Sequence, residues 1–119
     1  TMPLVVSVAP NDSVAEAVGL LRRYGISQLP VMEHGHMVGS MNENLLLRYL
    51  AGGESLAQAT VSDLQGPPFN TMPADALAKE AYTLFSAGHT AVAVVDDNLL
   101  EGIVTKSDLL EFWAHNRIG

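Results

Sequence analysis

The chain has 119 residues, of which 48% are hydrophobic, enough for one compact domain or two small interlocked ones. Its formal net charge is −7, and its six Lys and Arg form no basic stripe, which argues against a nucleic-acid surface. The absence of cysteine excludes disulfides and thiolate sites, and no apolar run reaches the ~20 residues of a membrane span.

The first half of the chain predicts five elements in the order strand, helix, strand, strand, helix. Apolar runs predict the strands, and apolar residues at helical spacing predict the helices. Asp12 and Ser13 supply an N-cap signal for the first helix, and Gly25 supplies a C-cap. The predicted ranges are a strand at 4–8, a helix at 14–24, strands at 28–32 and 37–41, and a helix at 43–50.

The second half predicts the same five elements, with Gly88 as the cap of its first helix. The predicted ranges are a strand at 69–72, a helix at 77–87, strands at 91–95 and 99–104, and a helix at 107–114. Between the halves, Gly52-Gly53 and Gly66-Pro67-Pro68 interrupt regular structure. This segment is therefore a predicted connector, with a short helix at 61–64.

The two halves are copies of one unit. An offset of 63 residues brings Gly39 onto Gly102 and aligns the halves without a gap. It also pairs Pro10 with Pro73, Asp12 with Asp75, Leu21 with Leu84, Gly25 with Gly88, and Leu46-Leu47 with Leu109-Leu110. One such unit cannot cover both faces of its sheet, whereas two can. The predicted fold is α/β (α+β): two tandem β-α-β-β-α units packed sheet to sheet about a pseudo-twofold axis. The predicted organisation is a first repeat at 1–51, a connector at 52–68 and a second repeat at 69–119.

Two segments carry a family resemblance that covers essentially the whole chain. Ser27-Gln28-Leu29-Pro30-Val31 in the first copy and Gly102-Ile103-Val104-Thr105-Lys106-Ser107-Asp108-Leu109-Leu110 in the second resemble the cystathionine-β-synthase (CBS) domain. The pair resembles a Bateman module. Leu50-Ala51-Gly52-Gly53 and Asn44-Leu45-Leu46 are further similar to the C-terminal regulatory region of a cystathionine β-synthase-like protein.

The resemblance implies that both copies contribute to a site for an adenosyl ligand, either S-adenosylmethionine or AMP/ADP. The implied ligand-binding residues are Val6, Ile26, Ser27, Gln28, Leu29 and Pro30 from the first copy and Ile103, Thr105, Ser107 and Asp108 from the second. Asp108 offers two carboxylate oxygens to the vicinal hydroxyls of a ribose. Thr105, at a helix start, offers its hydroxyl to a phosphate or carboxylate. Plain helix capping is the alternative role for both residues.

The first copy departs from this pattern, because Asn42 and Leu45 stand at the positions equivalent to Thr105 and Asp108. Since leucine cannot accept a ribose hydroxyl, we expect one working site and one degenerate site, the latter lined by His89 and Thr90. His34 and His36 predict a polar turn and no metal site, which needs three or four convergent ligands. The sequence contains no nucleophile elbow, phosphate loop or metal triad, so no catalytic residue is predicted.

The sequence therefore predicts a regulatory, adenosyl-ligand-sensing module that is not itself an enzyme. The alternative is a ligand-free structural module that dimerises its host. Either interpretation predicts a cytoplasmic homodimer without a covalent cofactor, a nucleic-acid partner or a membrane partner. Thr1-Met2-Pro3 leads almost directly into the first predicted strand. We therefore expect a fragment of a longer protein, with a linked catalytic domain outside it.

Overall fold

A helix, a β-hairpin and a second helix follow one another twice along the chain. The computed structural model describes residues 5–55, 57–76, 78–97 and 99–118. In chain order the elements are α1 (Val14–Tyr24), β1 (Gln28–Glu33), β2 (His36–Asn42), α2 (Glu43–Ala51), β3 (Asn70–Pro73), α3 (Ala78–Ser86), β4 (Ala91–Asp96), β5 (Leu99–Thr105) and α4 (Lys106–Ile118). The predicted mixed α and β fold class is confirmed. Residues 1–4, Leu56, Leu77, Asn98 and Gly119, which the predicted ranges include, lie outside the described residues.

The chain divides into two compact units. The first unit is Val6–Pro68, and the second combines Val5 with the residues from Phe69 onwards. The first unit thus contains the segment predicted as the connector. The predicted short helix within that segment is a 3₁₀ helix at Val61–Asp63.

Both hairpins have the predicted strands and the same register. β1 pairs antiparallel with β2, with Gln28 opposite Asn42, and β4 pairs antiparallel with β5, with Ala91 opposite Thr105. The first hairpin closes through two residues, His34 and Gly35, with φ of 51° and 80°, as a type I′ turn requires. Because α2 and α4 begin directly after β2 and β5, each hairpin carries a helix N-terminus at its open end.

The strand predicted at 4–8 is reduced to a single bridge at Val8 among the residues described there. The Val8 N–H donates to the Pro30 carbonyl (3.2 Å), and the Met32 N–H donates to the Val8 carbonyl (2.7 Å). The next rung of this parallel ladder needs an N–H from residue 30, which proline lacks. In the second unit that position is Ala93, and β3 pairs in parallel with β4 over all of Asn70–Pro73. The first sheet therefore has two strands and the second has three.

The connector packs onto the first unit. Its Ala59 and Val61 lie in the same buried core as Leu29, together with Val8, Val14, Ala17, Leu21, Val31, Met41 and Leu46. Further along, Gly66 exchanges two backbone hydrogen bonds with Ser40 on β2, at 2.8 and 3.1 Å. The Ser40 hydroxyl donates to the Pro67 carbonyl at 2.7 Å, which satisfies a side chain that is only 5% exposed.

The close approach of the connector to β2 requires a glycine at position 39. A Cβ there would lie 2.8 Å from the Gly66 carbonyl oxygen and 2.6 Å from Nε2 of Gln65. We expect Gly39→Ala to lower the free energy of unfolding by roughly 1–3 kcal/mol, because the connector must shift away from β2. Urea unfolding followed by circular dichroism measures this.

Gly19→Ala is the matched control for that substitution. Gly19 is exposed in α1, and a Cβ added to it would have no other atom within 4 Å. The change should stabilise the protein by about 0.5–1 kcal/mol through helix propensity. Equal midpoints for Gly39→Ala and the wild type would show that the connector is not tightly docked.

The second unit has a smaller buried core than the first. Its buried cluster consists of Ala81, Phe85, Val92 and Leu109. Partly buried side chains, among them Met72, Val104 and Trp113, complete it. Within the described ranges, no helix is long and apolar enough to cross a membrane.

Candidate functional site

The start of α4 is organised by hydrogen bonds between Thr105 and Asp108. Oδ2 of Asp108 accepts from the Thr105 backbone N–H (2.8 Å) and from the Thr105 hydroxyl (3.0 Å). In return, the Asp108 N–H donates to Oγ1 of Thr105 at 3.3 Å. This reciprocal arrangement is a capping box. It confirms that the capping considered from the sequence takes place here.

The same side chains remain accessible to a ligand. Asp108 is exposed and Thr105 is half-buried. The three bonds between them use only Oδ2 of the carboxylate, and no hydrogen bond from the described residues reaches Oδ1. An exposed carboxylate oxygen beside a helix N-terminus can therefore accept a ligand hydroxyl while the cap stays intact.

The chain contains a second Thr-x-x-Asp segment that makes two of the same hydrogen bonds, at the start of the 3₁₀ helix and outside the predicted site. In the connector, Oδ2 of Asp63 accepts from the Thr60 N–H (2.9 Å) and from the Thr60 hydroxyl (3.2 Å). These distances match those of Thr105 and Asp108 to within 0.2 Å. The hydrogen bonds alone thus define a cap, and the Thr60–Asp63 pair provides an internal standard for the cap's effect on stability.

The equivalent helix start in the first unit keeps the cap and lacks the carboxylate. Oδ1 of Asn42 accepts from the Leu45 N–H at 2.8 Å, which caps α2 with one side chain. Leu45 is half-buried, and its Cδ1 would lie 3.3 Å from a Cβ placed on Gly66. Position 45 therefore packs against the connector, whereas the carboxylate at position 108 faces solvent.

The other residues implied by the resemblance fall into two groups, one in each unit. In the first unit, the Ser27 carbonyl accepts from the Glu43 N–H (3.3 Å), and Gln28 lies opposite Asn42, so both sit beside the start of α2. Val6 and Ile26 pack partly buried against the first core, in which Leu29 is 0% exposed and Pro30 is also fully buried.

In the second unit, Ser107 is exposed in the first turn of α4, next to the Thr105–Asp108 pair. Ile103 is half-buried on β5, opposite Ala93. The structure thus brings Thr105, Ser107 and Asp108 together at one helix start.

His89 has a defined partner, which the sequence did not indicate. It is half-buried, and its Nε2 lies 3.3 Å from Nδ2 of Asn70 on β3. Thr90, beside it, is exposed. The hairpin residues His34 and His36 are exposed, and within the described part of the chain no three His, Asp or Glu side chains converge as metal ligands.

Tyr49 on α2 is the counterpart of Phe112 in the repeat. Partial burial raises the pKa of its hydroxyl above the ordinary value, and the negative charges of Glu54 and Asp63 add to this. The side chain packs against the first core. Tyr49 is therefore a neutral packing residue at physiological pH.

The chain contains two copies of one sheet-and-helix unit, and in each copy the last helix begins with a cap at the open end of the hairpin. This is the architecture of a CBS pair. The sequence model of the CBS domain matches residues 3–52 and 61–115. The chain therefore belongs to the CBS domain family.

Relatives and solved structures agree with this assignment. The CBS domain-containing protein YhcV of Bacillus subtilis is 28% identical over 107 residues, which cover 88% of this chain and 76% of that protein. A cystathionine beta-synthase of Dictyostelium discoideum is 27% identical over 122 residues, covering 94% of this chain and 24% of the enzyme.

Among solved structures, a putative signal-transduction protein with CBS domains from Burkholderia ambifaria superposes with a TM-score of 0.87 at 20% identity, covering 96% of this chain and 85% of that one. The CBS-pair protein CBSX2, solved in complex with AMP, superposes with a TM-score of 0.78 at 24% identity, covering 95% and 90%. These structures share the fold of this chain.

Proposed function

We propose that this CBS pair is a regulatory module that binds one adenosyl ligand per chain through the start of α4. The observation that carries the proposal is the exposed carboxylate of Asp108, whose Oδ1 is left open by the capping box. A ribose presents two adjacent hydroxyls to that carboxylate, and charge-assisted hydrogen bonds of this kind are the strong ones. Thr105 and Ser107 line the same turn, and Ile103 lies on the preceding strand.

The ligand class follows from the chemistry of this turn and from a structural relative. The free N–H groups at the start of a helix favour a phosphate or carboxylate. Basic side chains are few, with Lys106 at the helix start, so a triphosphate would lack counter-charges. The fold-matched protein CBSX2 was solved with AMP. We therefore propose AMP, ADP or S-adenosylmethionine as the ligand.

The first copy is proposed to have no equivalent site. Its helix start presents the packed side chain of Leu45 where the second copy presents Asp108. An apolar side chain cannot replace the bonds that the ribose hydroxyls make with water. Binding should therefore occur once per chain.

The module is proposed to act on a partner and to carry out no reaction itself. A ligand shifts a conformational equilibrium only by its differential affinity for two states, so the regulated protein must sense the state of this module. The likeness to a segment of cystathionine β-synthase supports a host of that kind, with its catalytic domain outside this segment, in the cytoplasm. A second copy of the chain is the other proposed partner.

Isothermal titration with AMP, ADP, ATP and S-adenosylmethionine tests the proposal. We expect saturable binding of at least one of AMP, ADP and S-adenosylmethionine, at one ligand per chain. Two equal sites per chain would contradict the degenerate first copy.

A ligand-free structural module is the second candidate. It is favoured by the finding that Thr105 and Asp108 make the same bonds as the Thr60–Asp63 cap. Heats equal to those of dilution for all four compounds would establish this candidate in place of the sensor.

A further inference from the structure

The first unit holds an extended segment of its own connector on the loop before α1. The Val61 N–H donates to the Asp12 carbonyl at 2.8 Å. The Ser62 N–H donates to the Pro10 carbonyl at 2.9 Å. Backbone hydrogen bonds of this kind hold an extended segment with little regard to its side chains. This loop is therefore a surface that binds polypeptide, and in the first unit the connector is its occupant.

The second unit keeps the same two loop residues at an open cavity. At the offset of 63 residues, Pro10 and Asp12 correspond to Pro73 and Asp75. Pro10 and Asp12 are half-buried beside the connector, whereas Pro73 and Asp75 are exposed. A cavity of about 550 Å³ lies against them, lined by Pro73, Ala74, Asp75, Val95, Asp96 and Asp97. The residues that hold the connector in the first unit thus recur at a cavity in the second.

This cavity lies at the opposite end of the hairpin from the candidate ligand site. Asp96 pairs with Leu99 beside the turn that joins β4 to β5, whereas Thr105 pairs with Ala91 at the open end. The cavity is therefore a surface of the second unit that is separate from the start of α4.

The cavity and its surroundings are acidic. Three of its six lining residues are aspartates, and none of the six is basic. Asp97 stands where the first copy has His34, and Glu80 in the first turn of α3 stands where the first copy has the fully buried Ala17. Lys79 on α3 is the basic residue closest in sequence to Asp75. An occupant of this cavity therefore needs positively charged side chains.

The connector of a second copy of the chain does not meet this requirement. Residues 52–68 contain Glu54 and Asp63 and no lysine or arginine. Like charges oppose the docking of such a segment on an acidic surface. The occupant therefore has to be a different polypeptide segment.

We propose that this cavity binds an extended, basic segment of a partner protein, held through its backbone as the connector is held in the first unit. The carbonyls of Pro73 and Asp75 accept from its N–H groups, and Asp96 and Asp97 pair with its lysine or arginine side chains. The Pro73 carbonyl already accepts from the Ala76 N–H at 3.0 Å, and its second lone pair remains for the segment. The inference goes beyond the proposed function, because it places a polypeptide contact on the unit that carries the candidate ligand site. It requires no adenosyl ligand.

Fluorescence anisotropy with labelled peptides tests the proposal on the full chain. The probe has the connector sequence of residues 57–64 with Gln58→Lys, Ser62→Lys and Asp63→Lys, which are exposed positions, and it retains Ala59 and Val61. We expect saturable binding of this lysine peptide and at least about tenfold weaker binding of the unmodified peptide. Equal affinities would overturn the requirement for a basic segment. Anisotropy of the lysine peptide that does not change with protein concentration would overturn the docking itself.

Methylation of the peptide backbone separates docking from general attraction between charges. The lysine peptide is N-methylated at the two amides that correspond to the Val61 and Ser62 donors, which leaves its charge unchanged. Loss of two backbone hydrogen bonds should weaken binding at least about tenfold. Unchanged affinity would show that charge alone attracts the peptide and would contradict the backbone contact.

The double variant Asp96→Asn/Asp97→Asn tests the location of the peptide. It removes two charges at almost constant side-chain size, and asparagine tolerates the φ of 51° at position 97. We expect about tenfold weaker binding of the lysine peptide, whereas Glu33→Gln at the equivalent turn of the first unit should leave it unchanged. Equal affinity for the wild type and the double variant would place the peptide elsewhere. Titration of the double variant with AMP reports the adenosyl site separately, since Thr105 and Asp108 are unchanged.

Discussion

Replacing Asp108 with alanine is expected to weaken adenosyl binding by about 100-fold or more, because two charge-assisted hydrogen bonds to the ribose are lost. The same change removes the carboxylate half of the capping box of α4, in which Oδ2 accepts two bonds from Thr105, whereas the backbone N–H of residue 108 can still donate to Oγ1 of Thr105. Loss of capping bonds of this kind costs about 0.5–2 kcal/mol of unfolding free energy. The binding effect must therefore be separated from this loss of stability, by titration calorimetry together with urea unfolding.

Asp63→Ala is the control that makes this separation. The Thr60–Asp63 box has the same residue types and nearly the same distances, at a site with no proposed ligand role. We expect the two variants to lose similar stability and only Asp108→Ala to lose binding. If both bind the ligand as the wild type does, Asp108 is a cap and nothing more. Asp108→Asn, which keeps a cap acceptor without the charge, covers the case in which the alanine variant fails to fold.

Leu29→Ala is expected to have the largest effect on stability, about 2–5 kcal/mol of unfolding free energy. Leu29 is 0% exposed on β1 and lies in the same core as the connector residue Val61. Truncation leaves a cavity between the sheet and the connector, so the surrounding core cannot close it fully. Denaturant unfolding measures the loss.

Leu99→Ala is the matched control for this substitution. Leu99 is 67% exposed at the start of β5, so its truncation should change the unfolding free energy by less than about 0.5 kcal/mol. A small effect of Leu29→Ala would show that this residue is not a core residue, and would favour the ligand contact that the resemblance implies for it.

The repeated elements were predictable from the sequence because local signals specify them. The glycine at 25 adopts φ of 61° and ends α1, and the Ser13 hydroxyl accepts from the Glu16 N–H at its start, as the cap signals indicate. Apolar runs located the strands of both hairpins, and the offset of 63 residues showed that the second half repeats the first.

The first strand was mispredicted because its extent depends on a distant residue. The apolar run at 4–8 looks like a strand, yet Pro30 on the neighbouring strand has no N–H to continue the ladder. The packing of Ala59 and Val61 into the first core was missed for a similar reason. Two small apolar residues in a polar segment do not reveal which unit they contact.

The candidate site was only partly accessible to sequence analysis. The helix start with Thr105 and Asp108 follows from the motif, and the structure places both there. That the pair also forms a capping box, with one carboxylate oxygen open, depends on side-chain geometry. The hydrogen bond between His89 and Asn70 joins residues from two elements and left no sequence signal.

The buried hydroxyl of Ser40 has a consequence for how the duplicated chain avoids misassembly. Two similar hairpins in one chain can exchange places during folding, which is a characteristic failure of repeat proteins. Ser40 satisfies the Pro67 carbonyl in the first unit, and its counterpart in the second copy is Ile103. An exchanged hairpin would set that isoleucine against the carbonyl and lose this hydrogen bond, at a cost of about 0.5–1.5 kcal/mol. The Ser40 side chain thus distinguishes the first hairpin from the second, because only the first can form this hydrogen bond with the Pro67 carbonyl.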